Sequence, residues 1–411
     1  MNKRIKVAIF VDGIFIPSYS GAANRFHYLS RYLQKCTNIE VIVILCDRGW
    51  SNPELIKKEP FTTYLIHQKL FKDKKILETI LKKEKIDILQ FSTLELIIEL
   101  GIPLSEILNT HLIFESHYDD FEFSKSVKMN KKQLIQIKIL QTKFSKYFDH
   151  VIALSEEDNI TKNLIIDEKR LSTITSGVNL QDFKTNCFNP KTKKILFFGN
   201  LFFHVNLESL KVIKNKLYKN LIKYGYEFII AGDISEKDKN ILKEYKFSIT
   251  GKIDNLYKTF KNSSIALAPV LNGSGIRIKI LNYLNAGIPV ITTTQGARGF
   301  PRKELLIIED NIDNYPYIIR NYLEHKIPYL DEISTIGRKY VRKHMSWEII
   351  SKKVSDIYHA TIIKQKINKK DAISKIKKNQ SPSWIKDVIR KKKFKKNTSF
   401  VNIKNKYIKI N

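Results

Sequence analysis

Apolar runs of five to eight residues alternate with amphipathic stretches along the first part of the chain. Runs such as RIKVAIFV and IEVIVIL lack the polar alternation of a half-exposed strand, so we interpret them as strands covered on both faces. The stretches between them have helical periodicity at 21–36, at 73–85 and near 127–147. Strands that alternate with helices predict a doubly wound parallel sheet. The other predicted strands are FTTYLI, IDILQF, HLIFE and HVIAL.

The same pattern starts again near residue 192, which predicts a second α/β half. Its predicted strands are KKILFFG, YEFIIAG, FSITG, SIALAPV, IPVITT and ELLIIE, and its predicted helices are 206–223, 235–244, 254–262 and 275–285. The segment LQDFKTNCFNPKTKK between the halves is polar and carries one Pro, so we interpret it as a linker. A length of 411 residues fits two domains, because single cores rarely grow far beyond about 250 residues.

The net charge of +31 is unevenly distributed. Residues 365–411 hold sixteen Lys or Arg and two Asp, so nearly half of the excess lies in a C-terminal tail. Lys greatly outnumbers Arg elsewhere, and Ile and Asn are abundant, which a compositionally biased genome produces without a functional demand. The three cysteines include no CxxC pair, so neither a disulfide framework nor a zinc site is indicated. No apolar run is long enough to span a bilayer, and we expect a reducing cytoplasm.

Three predicted strands of the second half run into glycine, at Gly199, Gly232 and Gly251. Glycine at the carboxyl end of a parallel strand lets a ligand or another backbone approach closely. The alternative is ordinary turn chemistry at each position.

Residues 271–293, LNGSGIRIKILNYLNAGIPVITT, combine a Gly-rich turn with two cations on a short predicted helix. The amides at the start of a helix attract anions, and Arg277 and Lys279 add positive charge there. A nucleoside diphosphate is the natural ligand for such a site. The alternative is a solvated basic face on an amphipathic helix whose core side carries Ile276, Ile280 and Leu284.

Here the chain resembles glycosyltransferases of the GT-B fold, in particular glycosyltransferase family 4 and its group 1 relatives. GSGIRIKILNYLNAGIPVITTTQGARGF is similar to their nucleotide-sugar segment, and SYSGAANRFHYLSRYL to the Gly-rich turn and first helix of their acceptor domain. VIALSEEDN, TITSGVNLQDF, ILFFGNLFFHVNLESL and SWEIISKKVSDIY agree in order, so the resemblance spans roughly residues 4–363.

The resemblance implies two Rossmann-like domains that face a central cleft, with a C-terminal helix that returns to the first domain. We therefore predict an acceptor-side domain at 1–186 joined by helix 347–363, a nucleotide-sugar domain at 190–346, and a basic tail at 365–411.

The resemblance also implies where the sugar nucleotide binds, without a metal and without a further cofactor. Gly21 matches the glycine whose amide approaches the donor phosphates, and Arg277 and Lys279 match the cations that hold the diphosphate. Lys252 and Ile253 match the backbone that meets the nucleotide base. Gly275 belongs to the turn before the cations, and Thr294 and Gly296 continue the loop behind the next strand with a structural role.

This chain departs from the family at two acidic positions. Many members carry two glutamates in the nucleotide-sugar segment, where this sequence has Ser274 and Asn282. Asn282 is still able to hydrogen-bond ribose hydroxyls, but without the charge-assisted strength of a carboxylate. Asn206 matches the Asn that the related subgroup carries after the first strand of its donor domain, and His204 in the same turn is more typical of a solvated loop.

HLIFESHYDDF places acidic residues and a histidine at the end of a predicted strand. In related enzymes a histidine at this strand end contacts the transferred sugar, and His117 is our candidate for that role. The alternative is a structural histidine. Glu115, Asp119 and Asp120 are candidates for the base that activates the acceptor, and two adjacent aspartates alone are a weak metal signal.

The tail combines an apolar face with a basic run. Trp384, Ile385, Val388 and Ile389 precede the run from Arg390 to Lys396. We weigh two interpretations equally: a segment that lies on an anionic membrane, and a Lys-rich terminus without fixed structure. We do not expect nucleic-acid binding. A salt titration of binding to RNA and to vesicles distinguishes it from both interpretations.

The leading hypothesis is a retaining hexosyltransferase that moves a sugar from a nucleoside diphosphate such as UDP to a saccharide or lipid-linked acceptor. We expect it in surface polysaccharide synthesis, in the cytoplasm or at the inner face of the membrane. The alternatives are a non-catalytic GT-B subunit that serves as a partner in a glycosyltransferase complex, and a nucleotide-sugar epimerase, which the acceptor-side turn disfavours.

Overall fold

The computed structural model describes residues 4–17, 20–126, 128–156, 167–273, 275–378 and 407–411. The chain divides into two compact units, which comprise Met1–Ile174 with Ile350–Asn411 (unit 1) and Thr175–Ile349 (unit 2). The predicted linker belongs to unit 2, because its Phe183 and Cys187 are buried in the core of that unit. The first division of the chain therefore lies at residue 174 rather than at the predicted 186.

Unit 1 contains a mainly parallel sheet in which six strands, β1 to β6, are the predicted apolar runs and β7 was not predicted. The strand order is β3-β2-β1-β4-β5-β6-β7, and β1 pairs in parallel with both β2 and β4. Nearly every residue of β1, β4, β5 and β6 is buried because helices cover both faces of a parallel sheet, whereas no residue of the edge strand β7 is buried. The strands are β1 Ile5–Val11, β2 Ile39–Asp47, β3 Thr62–His67, β4 Ile88–Phe91, β5 His111–Ser116, β6 His150–Ala153 and β7 Leu171–Thr173.

The helices of unit 1 follow the predicted periodicity with one difference. A separate helix, Asp120–Ser126, which was not predicted, comes before the helix expected near 127–147, which spans Lys131–Phe144. The second begins at a capping box, in which the Asn130 side chain accepts from the Gln133 amide and the Gln133 side chain accepts from the Asn130 amide. The other helices are Gly21–Cys36, Pro53–Ile56, Lys74–Glu84, Leu94–Leu96, Ile102–Leu108, Trp347–Ile362 and Lys370–Lys378, and a π-helical turn spans Ile97–Gly101.

Unit 2 contains a parallel sheet of the order β10-β9-β8-β11-β12-β13. Its order reverses between β8 and β11, the topological switch point at which open α/β sheets bind ligands. The strands are β8 Lys194–Phe198, β9 Glu227–Ala231, β10 Phe247–Gly251, β11 Ile265–Ala268, β12 Val290–Thr292 and β13 Ile307–Ile308. The helices are His204–Val212, Tyr218–Ile222, Glu236–Leu242, Leu256–Phe260, Ile278–Asn285, Tyr315–His325 and Ile327–His344, with a π-helical turn at Ile213–Leu217.

Most of the helix Trp347–Ile362 lies in unit 1, as the predicted return of the C-terminal helix requires. Its Tyr358 is fully buried there and donates a 2.5 Å hydrogen bond to Gln90 Oε1. The chain therefore contributes two separate stretches to unit 1.

The described parts of the predicted basic tail are packed into unit 1 rather than free. The Ile367 amide donates to Asp149, and the Lys369 ammonium, only 1% exposed, lies 2.9 Å from the same carboxylate. Residues Tyr407–Ile410 form β14, which pairs antiparallel with β3 at the edge of the sheet. The apolar face at 384–389 and the basic run 390–396 lie outside the described residues.

Within the residues that the structure describes, no helix combines the length and apolarity that crossing a membrane requires.

Candidate active site

The glycines that end β8, β9 and β10 bring neighbouring backbones together. Gly199 donates to the Ala231 carbonyl at 2.9 Å, and Gly232 donates to the Gly251 carbonyl at 3.1 Å. A methyl group at Gly232, whose φ is +137°, would lie 2.1 Å from the Gly199 carbonyl oxygen. Close approach of another backbone, one of the two expected reasons for these glycines, therefore explains Gly232.

Lys279 lies against the turn that follows β8. Its ammonium donates to Asn206 Oδ1 at 2.7 Å and lies 4.4 Å from the centre of the Phe197 ring. A methyl group at Gly199 would come within 3.0 Å of the same ammonium. Asn206 is fixed in turn by a 2.8 Å hydrogen bond to the Asn200 carbonyl. The helix face that carries Lys279 thus directs it to the switch point of the sheet.

The surroundings of Lys279 disfavour its positive charge. The residue is 9% exposed, and among the described residues no carboxylate forms an ion pair with it. Burial, followed by the neighbouring charge of Arg277, lowers the pKa of Lys279 to about 7. A bound anion would stabilise the ammonium form, so this position is suited to hold a phosphate.

Arg277 belongs to the Gly-rich turn rather than to the helix. Its Nη2 donates to the Asn272 carbonyl at 3.3 Å, and a methyl group at Gly273 would lie 3.0 Å from that nitrogen. Gln295 supports the turn by donating to the Gly273 carbonyl. The helix begins at Ile278, three residues later than the predicted start at 275, and Arg277 occupies its N-cap position. We predicted that the Gly-rich turn leads directly into the helix, and the structure contradicts this prediction.

The other predicted donor residues of the second half of the chain are Asn282, Gly275, Ser274, Lys252 and Ile253. Asn282 is half-buried and lies one helical turn after Lys279 on the same face. Gly275 is buried in the turn, and Ser274 lies outside the described residues. Exposed Lys252 and half-buried Ile253 follow β10, which β9 separates from β8. Their role at the base stays a prediction.

Other candidates of unit 2 have structural contacts. Thr294 donates its amide and its hydroxyl to the Asp310 carboxylate at 2.8 and 2.7 Å. A methyl group at Gly296 would overlap the Thr292 hydroxyl oxygen at 2.0 Å. His204 is the first residue of the helix His204–Val212 and is half-buried.

In unit 1, Gly21 is the first residue of the helix Gly21–Cys36, which Ser20 caps by accepting from the Ala23 amide at 3.1 Å. Gly21 is exposed, so its amide is open to solvent at the positive end of the helix. Its contact with donor phosphates stays a prediction.

His117 lies just beyond β5 and is bound to Glu115. The two side chains are 3.2 Å apart between Nε2 and Oε2, and the other oxygen of Glu115 accepts two bonds from Arg25 at 2.8 and 3.0 Å. Burial alone would raise the pKa of Glu115, but Arg25 and His117 lower it to about 2. An ionised carboxylate with both oxygens occupied is a poor general base, which removes Glu115 from the candidates for that role.

The two aspartates after His117 have different surroundings. Asp119 is fully buried and accepts from the amides of Phe121 and Glu122 and from the Gln141 side chain, so it caps the following helix. Asp120 is half-buried, and burial followed by the charge of Asp119 raises its pKa to about 7. The raised pKa of Asp120 is that of a base that works near neutral pH.

Within the described ranges no group of three or more His, Cys, Asp or Glu side chains is arranged to hold a metal ion.

Three residues of these clusters were not identified from the sequence. Phe197 lies inside a buried strand, Gln295 follows β12, and Arg25 lies on the buried face of a helix. Each is recognisable only through a partner distant in the chain, so no local signal pointed to it. Asn206 had been matched by its place in the resemblance alone, and the structure adds its bond to Lys279.

Solved structures share the fold over most of the chain. Sucrose-phosphate synthase from Thermosynechococcus elongatus is 14% identical with a TM-score of 0.69, over 88% of this chain and 100% of that one. A glycosyltransferase from Rickettsia africae is 17% identical with a TM-score of 0.69, over 89% of this chain and 100% of that one. HepE of Anabaena, solved with UDP and glucose, is 12% identical with a TM-score of 0.66, over 87% of this chain and 100% of that one. The chain has the GT-B fold of these glycosyltransferases.

Two family models match consecutive parts of the sequence. The model described as Glycosyltransferase Family 4 matches residues 19–182, and the model described as Glycosyl transferases group 1 matches residues 192–324. The chain belongs to the family 4-like group 1 glycosyltransferases, which confirms the resemblance drawn from its motifs.

A relative from Klebsiella pneumoniae is described as an uncharacterized 44.6 kDa protein in the cps region. It is 29% identical over 157 residues, which cover 35% of this chain and 40% of the relative. The match thus spans less than half of either protein.

Proposed function

We propose that this glycosyltransferase is a retaining enzyme that transfers a sugar from a nucleoside diphosphate to a saccharide or lipid-linked acceptor. The observation that carries the proposal is the buried ammonium of Lys279 beside Arg277 at the switch point of the unit 2 sheet. A buried cation without a carboxylate is unfavourable unless a ligand supplies the negative charge. A diphosphate does so, and its two phosphates match two cations.

These cations also act in the chemistry that we propose. The bond between C1 of the sugar and the diphosphate oxygen breaks, and the acceptor oxygen bonds C1 from the same face while its hydroxyl proton is released. Negative charge develops on the leaving diphosphate, where Lys279 and Arg277 stabilise it. Two side-chain cations supply the charge that a metal supplies elsewhere, so we propose that neither a metal nor another cofactor is needed.

UDP is the first nucleotide to test, because HepE of Anabaena has been solved with UDP and with UDP-glucose. A role in surface polysaccharide synthesis is supported by the relative from the cps region. The transfer assay described below, rather than either relative, is to identify the hexose, the acceptor and the linkage.

The test is a thermal-shift screen of UDP-, GDP- and ADP-sugars followed by an assay of transfer. A ligand that binds only the folded protein raises its midpoint, and we expect this for one nucleotide class. Arg277→Ala and Lys279→Ala should each remove the shift and the turnover. Absence of any shift at millimolar concentrations of all three classes would contradict the proposal.

A second candidate is a non-catalytic GT-B subunit of a glycosyltransferase complex. It is favoured by Asn282, which stands where many relatives carry a carboxylate. The same assay distinguishes the two candidates: a subunit binds the nucleotide sugar without transfer or hydrolysis, whereas the enzyme consumes it.

We further propose that the protein works in the cytoplasm at the inner membrane face, with the basic tail as one contact. The helix Lys131–Phe144 supports this placement, since Ile135 and Ile139 are half exposed beside exposed Lys131, Lys132 and Lys138. We expect sedimentation with anionic vesicles but not with neutral ones. Ile135→Ser with Ile139→Ser tests the helix, and deletion of 379–406 tests the tail; binding that survives both changes would contradict this placement.

A further inference from the structure

Glu115 is a fully buried carboxylate at the end of β5 whose two oxygens have different partners. Arg25, itself 1% exposed, donates to Oε1 through Nε at 3.0 Å and through Nη2 at 2.8 Å. His117 Nε2 lies 3.2 Å from Oε2, and the His117 side chain is 8% exposed. The carboxylate thus joins a buried guanidinium to an imidazole at the strand end.

This division of partners sets the protonation of the ring. An ionised carboxylate has no proton to donate, so the hydrogen bond to Oε2 requires a proton on Nε2 of His117. In the neutral ring Nδ1 is then the acceptor. The ring cannot easily turn over to exchange its nitrogens, because Phe26 packs against it with 5.0 Å between ring centres.

Glu115 also connects two parts of the predicted site. Arg25 lies one helical turn after Gly21 on the helix Gly21–Cys36, and His117 follows β5. The same carboxylate therefore holds the first turns of that helix and the imidazole in fixed places within unit 1.

We propose that Glu115 is a positioning residue: held by Arg25, it keeps Nε2 of His117 protonated and leaves Nδ1 as an acceptor for a hydroxyl of the transferred sugar. The inference rests on the proposed function and on the prediction, drawn from the resemblance, that His117 contacts that sugar. It assigns Glu115 a role through His117 and no contact with the substrate.

Glu115→Gln gives the sharpest test because it changes one oxygen into an amide nitrogen. Arg25 has only donors, so the remaining oxygen faces Arg25 and the NH₂ group faces His117. Nε2 must then accept, and the ring proton moves to Nδ1. Replacement of a buried carboxylate by an amide is known to trap a histidine in the wrong tautomer without disturbing the geometry.

The tautomer is read directly by ¹⁵N NMR of histidine-labelled full-length protein at pH 8, with His117→Asn to assign the signal. We expect protonated Nε2 in the wild type and protonated Nδ1 in Glu115→Gln. In the transfer assay kcat/KM should fall roughly tenfold to hundredfold, as for a lost hydrogen bond in a buried site. Binding of the free nucleoside diphosphate, which lacks the sugar, should stay unchanged.

Glu59→Gln is the matched control. Glu59 is likewise buried, but its bonds go to His27 Nε2 at 3.0 Å and to Arg31 rather than to His117. It should leave both the tautomer of His117 and the transfer rate unchanged. Glu115→Asp keeps the charge and should keep the wild-type tautomer, which separates a folding defect from the proposed effect.

The inference is overturned if the wild type carries the proton on Nδ1, or if Glu115→Gln leaves Nε2 protonated. It is also overturned if Glu115→Gln changes the tautomer while transfer stays at the wild-type rate. If no nucleotide sugar binds the wild type, the proposed function fails, and the NMR result still decides whether Glu115 sets the tautomer.

Discussion

The two units bury their cations in opposite ways. In unit 1, Arg25 and Lys369 are each 1% exposed, and each is paired with a buried carboxylate, Glu115 and Asp149 respectively. In unit 2, Lys279 is 9% exposed and has an amide oxygen and an aromatic ring as its neighbours instead. A buried ion pair is neutral as a whole and stabilises the folded unit. A buried cation without a carboxylate lacks a compensating negative charge, which a bound anionic ligand supplies.

The strongest test of this contrast makes the same substitution at both buried lysines. Lys279→Met removes a cation that destabilises the ligand-free protein, so we expect an unchanged or higher midpoint of thermal unfolding. Transfer should fall roughly 100- to 1000-fold, as when one group that stabilises developing negative charge is lost. Lys369→Met leaves Asp149 buried without its charged partner and should lower the free energy of unfolding by about 3–5 kcal/mol. The stability of both variants is measured by thermal or urea unfolding, and their activity is measured in a transfer assay.

The contrast would break if the two variants behaved alike. A Lys279→Met protein that unfolds as easily as Lys369→Met would show that Lys279 is also a structural cation. Full activity of Lys279→Met would remove it from the donor site.

The pH dependence of nucleotide binding gives a smaller but more specific effect. The pKa of Lys279 is lowered to about 7 by burial and by Arg277, so the free protein loses this charge as the pH rises through 7. A diphosphate binds the charged form, and its Kd should rise roughly tenfold between pH 7 and pH 8.5. Lys279→Arg is the control: arginine stays charged, so its Kd should be flat over this range in titration calorimetry.

The same shift affects stability with a defined sign. Above pH 7 the unfolded chain holds a proton on this lysine that the folded protein has lost. The free energy of unfolding of the ligand-free protein should therefore increase from pH 7 toward the ordinary pKa of lysine, through this group alone. A Lys279→Met variant should lack that increment, and an identical pH profile in both proteins would contradict the assigned pKa.

The smallest expected effect concerns Asn282, which lies on the same helix face as Lys279. Asn282→Ala should raise the donor KM a few-fold, by the loss of a neutral hydrogen bond, without a change of product. Asn282→Glu restores the carboxylate of the relatives and should lower the KM, because a charge-assisted bond is stronger. Unchanged donor kinetics in both variants would count against the assignment of Asn282 to the donor.

The sequence was sufficient for most of the two sheets, although β7 and β14 were not predicted. Long apolar runs predict covered parallel strands, and these strands form at the expected positions in both units. The helix expected near 127–147 starts at Lys131 because Asn130 and Gln133 form a capping box, which depends on two polar side chains that a periodicity does not contain. The helix at 278 starts late because the turn before it is held by Asn272 and Gln295, contacts that a periodicity does not contain.

The tail shows what composition leaves out. The composition of 365–411 led to two interpretations, a membrane-lying segment and a Lys-rich terminus without fixed structure, yet Lys369 is buried because Asp149, far earlier in the chain, offers a carboxylate. The partners of Glu115 were missed for a related reason. Its position at the end of a strand made it one of three candidate bases, and only the structure reveals that Arg25 pairs with it.

The way the chain builds its two units affects the order of events during synthesis on the ribosome. Unit 2 is one continuous stretch, Thr175–Ile349, and has all of its strands as soon as that stretch has emerged. Unit 1 is completed only later. Its Tyr358, its Lys369 and the strand that pairs with β3 are synthesised after the whole of unit 2. Contacts between such distant residues are slow to form, so the nascent N-terminal part stays incomplete and exposed to chaperones while its partner unit is already folded.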